Sequence, residues 1–154
     1  MRFHQVREIV SWAVDFHEQL AQQYAALAKK TEDERVRMAL NYLAEHEHRM
    51  QGGLARYLAA DSEHRNVLDT WFSDLTELPH SDVVTRLCES VACTTVDGVL
   101  ATALTIHKTL EDMYRHRAEE AGIAAEQAFF TALTNGHEAE VRRLVRDMAR
   151  LEAY

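Results

Sequence analysis

Five side chains with metal-binding chemistry fall where this 154-residue sequence should place apolar groups: His17, Glu47, His107, His137 and Glu140. Imidazole nitrogens and carboxylate oxygens are common donors to Zn, Fe and Mn. Ionisable groups seldom occupy a core-facing position without a partner. In Glu47-x-x-Met50 and His137-x-x-Glu140 the three-residue step keeps both members on one helix face. Glu45-x-x-His48 has the same spacing, but it lies off the apolar row, beside Asn41 and Gly52. His46 is expected to face solvent.

Charge limits what this set can hold. Glu47 and Glu140 together match one divalent cation, and the three imidazoles add affinity without charge. The Met50 thioether is a poor donor to hard ions and is expected to close the site by packing. Tyr24 and Tyr114 each follow a histidine by seven residues and could donate hydrogen bonds around the site. One transition metal, Fe, Zn or Mn, is therefore expected. The same five residues could instead satisfy one another as a near-neutral network with no metal at all.

Long helices must position these groups. One proline and five glycines in the whole chain leave few breaks. A first helix is expected over about Gln5–Lys30, with Val6, Ile9, Val10, Ala13, Phe16, Leu20, Tyr24 and Leu27 at three- and four-residue steps. Thr31 then fits a capping box with Glu34, opening a second helix to about Leu58. Residues 60–80 form a long connection interrupted by Pro79, with Trp71, Phe72 and Leu75 expected to pack on the bundle. Ser81 is expected to cap a short helix through Cys93. Thr94 or Thr95 opens a third long helix ending near Gly122, and a fourth runs from about Ala125 to Leu151.

The halves repeat. Tyr24 and Tyr114 are 90 residues apart, as are Ala13 and Ala103, His17 and His107, Leu43 and Leu133, Glu47 and His137, and Met50 and Glu140. His17, Glu47, His107 and His137 also lie at similar distances, roughly 21–24 Å, from their helix turns. The chain is expected to be one all-α domain over residues 1–154: an antiparallel four-helix bundle of two hairpins joined by a crossover, with its polar groups in one layer.

Composition excludes other classes. The formal net charge is −8, without the clustered cations that a nucleic-acid backbone requires. Arg142, Arg143, Arg146 and Arg150 suit the negative end of a helix instead. No stretch of about 20 apolar residues could cross a membrane, and the N-terminus does not resemble a signal peptide. A cytoplasmic protein is expected, with no nucleic-acid or membrane partner. Cys88 and Cys93 project roughly 140° apart on a helix and are expected to be buried thiols.

Ala13-x-x-x-His17-x6-Tyr24-x-x-Leu27-Ala28 and Leu43-Ala44-x-x-Glu47 resemble the first hairpin of rubrerythrin-like members of the ferritin-like superfamily. Ala103-x-x-x-His107-x6-Tyr114 and Leu133-x-x-x-His137-x-x-Glu140 are similar to the second hairpin. The resemblance implies a ferritin-like fold, iron, and oxidoreductase chemistry with peroxide or oxygen, fed by a separate electron donor. It also implies a homodimer. The ligands depart from the family pattern. His17 and His107 stand where glutamates are usual, Met50 replaces a histidine, and His137 and Glu140 exchange the usual order. A competing expectation follows from those departures: a metal-free degenerate bundle serving as a dimeric scaffold or binding module.

Overall fold

A computed structural model describes residues 2–59, 64–72 and 95–153. Five helices lie in these segments: α1 Val6–Lys30, α2 Glu34–Tyr57, α3 Arg65–Leu68, α4 Val96–Glu119 and α5 Ala124–Glu152. The four long ones form two hairpins, α1 on α2 and α4 on α5, and α2 meets both α4 and α5. This is the expected all-α bundle. No helix of the described residues is long and apolar enough to cross a membrane.

Each long helix buries the stripe that its periodicity supplies. In α1 the buried row runs Val6, Ile9, Val10, Ala13, Phe16, His17, Leu20, Tyr24 and Ala28. It meets Leu40 and Leu43 of α2, Ile106 and Leu110 of α4, and Phe130 and Leu144 of α5 in one continuous core. The helix starts are chemically marked. Glu8 reaches back to accept from the Gln5 backbone N–H at 3.2 Å, and the Thr95 hydroxyl accepts from Gly98 N–H at 3.0 Å.

The α2 start corrects the sequence expectation. Asp33, not Thr31, is the N-cap, its carboxylate accepting from Val36 N–H at 3.0 Å. The Thr31 hydroxyl turns back and donates to the Leu27 carbonyl at 2.7 Å. Thr31 thus closes α1 while Asp33 opens α2, because one side chain can serve only one of two abutting termini.

The start of the crossover is pinned to the N-terminus. Phe72 N–H donates to the His4 carbonyl at 2.8 Å, and Val6 N–H to the Thr70 carbonyl at 3.1 Å. Phe72 packs into the core, as expected. Trp71 does not, being 68% exposed; successive residues of an extended segment point to opposite sides. The Arg117 guanidinium covers the Phe72 ring at 4.3 Å and donates to Glu126 at 3.0 Å. Leu75, Pro79, Thr94 and the expected short helix with Cys88 and Cys93 lie outside the described residues.

Candidate metal centre

Four helices deliver one imidazole or carboxylate each to the same mid-height layer. His17 comes from α1, Glu47 from α2, His107 from α4 and His137 from α5, and all four are buried. Glu47 is the hub. Its Oε2 lies 2.5 Å from His17 Nδ1, and its Oε1 lies 2.6 Å from His107 Nε2. His107 Nδ1 in turn lies 3.2 Å from His137 Nε2. The structure thus brings together four of the five residues singled out by spacing.

Glu140 stands apart. It lies one turn beyond His137, with its side chain 31% exposed and its carboxylate 3.4 Å from Arg143. Its other oxygen is 3.9 Å from His46 Nδ1. Glu45 and His48 are exposed, so the alternative pair on α2 points away from the core.

His46 corrects the sequence reading: it is fully buried, not solvent-facing. Its ring stands edge-on to His107 at 5.5 Å and stacks against Tyr42 at 6.3 Å. The 90-residue repeat gave no warning, because it sets His46 against Gly136. Ala39 was the available signal. It precedes His46 by seven residues and is also buried, so the inward face of α2 is wider than the Leu43–Glu47 row alone.

The electrostatics follow from burial and from Glu47. Burial alone would raise the Glu47 carboxyl, but His107 and His17 beside it outweigh this and hold it well below the usual carboxylate range. Burial pushes His46 down to about 4. His137 is likewise held well below the usual imidazole range by burial, reinforced by His107 and His17. The centre therefore holds one carboxylate, with His46 and His137 neutral near pH 7. Neutral imidazoles are the form that ligates metals.

The hydrogen bonding is incomplete. His17 Nε2 and both His46 ring nitrogens are buried with no hydrogen-bond partner. Glu47 Oε1 and His107 Nε2, 2.6 Å apart, face each other without good hydrogen-bond alignment. Each unpartnered nitrogen costs about 1–3 kcal/mol. His46, Glu47 and His107 each offer a donor atom within 4.8 Å of the others. A cation among them would satisfy several orphans at once, so the donor set fits a metal ion.

A cleft of about 270 Å³ reaches this layer from outside, between α2 and α5. His137 and Tyr114 line it, as do Met50 and Glu140. Met50 is half-buried and lines the cleft wall.

No known family profile matches this sequence, and no curated protein matches it. A solved structure does. The crystal structure of a Thermotoga maritima protein designated a ferritin-like diiron-carboxylate protein superposes with a TM-score of 0.55, covering 97% of this chain and 98% of that one. The fold is ferritin-like. Sequence identity is 15%, so the likeness concerns architecture and does not single out the rubrerythrin branch. Within this ferritin-like frame the fully buried carboxylate of the layer is Glu47, and histidines supply its other donors.

Proposed function

We propose that this ferritin-like protein is a metalloprotein holding one divalent transition-metal ion in the bundle interior. His46, Glu47 and His107 are its central ligands, His17 and His137 flank them, and Glu140 is the nearest further carboxylate. The supporting observation is the buried His46 and His17 nitrogens that lack partners beside the Glu47–His107 contact. One buried carboxylate favours one ion, because two ions would leave a large uncompensated charge in the core. Two histidines and one carboxylate suit iron, with manganese and zinc as competitors. Bound iron supplies redox chemistry toward oxygen or peroxide, with electrons from a separate donor.

The chain's own residues divide the remaining work. Glu47 accepts from His17 Nδ1, which fixes the orientation of the carboxylate and leaves the buried His17 Nε2 as the free ring nitrogen. His137 meets the far nitrogen of His107 and orients that ring. Aromatic and aliphatic packing around the layer keeps bulk water from the ligand atoms.

A second reading rests on the same short contacts. His17–Glu47 and His107–His137 already lie at hydrogen-bonding distance, as a metal-free polar core would require. That bundle would serve as a scaffold, in keeping with the exposed Trp71 and Met38. Elemental analysis of natively purified protein separates the two readings. A transition metal lost in H107A supports the first. Metal-free protein with a melting temperature unmoved by Fe, Mn or Zn supports the second.

A further inference from the structure

The cleft between α2 and α5 has a chemistry of its own. Its sides are apolar, with Met50, Leu54, Tyr57 and Leu133 among them. Gly53 on α2 and Gly136 on α5 also line it, and a Cβ built on either meets nothing within 4 Å. Glycine is among the poorest residues for a helix interior. Here two helices keep one where a side chain would begin to fill the cleft.

The inner and outer ends differ. Inside, Tyr114 lines the cleft, and its hydroxyl is buried with no hydrogen-bond partner. A phenol is a neutral donor near pH 7. Outside, Arg49 and Arg143 line the mouth with Glu140, whose carboxylate is 3.4 Å from Arg143. Two guanidinium groups against one carboxylate leave the mouth positive on a chain whose formal net charge is −8. Long-range steering by the whole chain opposes anions, so the preference must be local.

We propose that this cleft is a binding site for a small organic acid, with its carboxylate at Arg49 and Arg143, its apolar body between α2 and α5, and a second oxygen at the Tyr114 hydroxyl. The size suits a small molecule rather than a peptide. Each feature has a separate role. The arginines select a carboxylate, the glycine-lined walls admit a flat or slender body, and Tyr114 favours a ligand with a polar far end. The site lies beside the proposed metal ligands but does not depend on a metal.

A calorimetric titration of the full-length protein with 4-hydroxybenzoate, benzoate and phenol tests this, with the metal content of each sample measured alongside. 4-Hydroxybenzoate is expected to bind most tightly. Benzoate, lacking the inner oxygen, loses about three- to tenfold, and phenol, lacking the carboxylate, about tenfold or more. Y114F should reduce 4-hydroxybenzoate to the level of benzoate while leaving benzoate unchanged. G53L and G136L fill the cleft from opposite helices and should each abolish binding; circular dichroism establishes that each remains helical, and either folded variant suffices. No saturable binding at millimolar probe, equal affinity for phenol and 4-hydroxybenzoate, or full affinity in a folded G53L or G136L would overturn the proposal. Natively purified protein that contains no metal yet binds 4-hydroxybenzoate would contradict the metalloprotein reading and leave the cleft proposal standing.

Discussion

Glu47 shows how much one buried carboxylate can organise. It sits in a core that disfavours charge, yet two imidazoles keep it ionised. His46 is the residue that sequence alone misplaced. The row Leu43–Glu47–Met50 was visible at helical spacing, whereas His46 sits at its edge. Its burial depends on how far α2 is turned toward α4, which periodicity in one segment does not fix. H46A should weaken metal binding about 10- to 100-fold without unfolding the bundle, measured by competition with a chromophoric chelator. Metal binding unchanged in H46A would remove it from the ligand set.

The same residues set an acid limit on the metal-stripped protein. His46 titrates near 4 when folded but near 6.5 in an unfolded chain. Between those values the unfolded chain holds the extra proton, so stability falls as pH drops through that window. The loss from His46 is on the order of 3 kcal/mol. Glu47, with its folded carboxyl held low, adds a further loss as pH falls below its ordinary value of 4.5. Thermal melts from pH 7 to pH 4 should show a steady decline, and a flat profile would mean that His46 is hydrated and not buried.

At the scale of elements, four long helices, their boundaries and their pairing were legible because three- and four-residue apolar steps leave little choice of period. The start of α2 was less so. Thr31-Glu32-Asp33-Glu34 contains two candidate caps, and local spacing favoured Thr31. The structure gives Thr31 to the end of α1 through its bond to Leu27. D33A should therefore cost about 1 kcal/mol, and T31A less, in chemical denaturation. The reverse order would restore Thr31 as the cap. Trp71 and Phe72 mark a further limit: composition indicated that one aromatic turn packs on the bundle, but only the strand-like pairing with residues 4–6 decides which ring is inside.

At the scale of the whole molecule, the 90-residue repeat foretold the two-hairpin frame and all four side chains of the mid-height layer, His17, Glu47, His107 and His137. The repeat also concealed the asymmetry that matters. One half carries His46 and the other Gly136, so one side of the layer is filled by a ring and the other opens to the cleft. The crossover and the α4–α5 turn are joined by Arg117, which pairs with buried Glu126 and covers Phe72. E126Q leaves that guanidinium uncompensated and should destabilise the protein by about 3–5 kcal/mol. An R117M/E126M double variant should recover much of the loss in the same denaturation assay. Equal losses in both would place the effect in packing rather than charge.

The incomplete hydrogen bonding around Glu47 is the basis for proposing a one-ion site within the ferritin-like bundle. Inductively coupled plasma mass spectrometry on natively purified wild-type, E47Q and H107A proteins decides whether that ion is present. About one transition-metal ion per chain in the wild type, with occupancy reduced at least tenfold in both variants, is the expected result. A wild type without metal, a second ion per chain, or full occupancy in E47Q would contradict it.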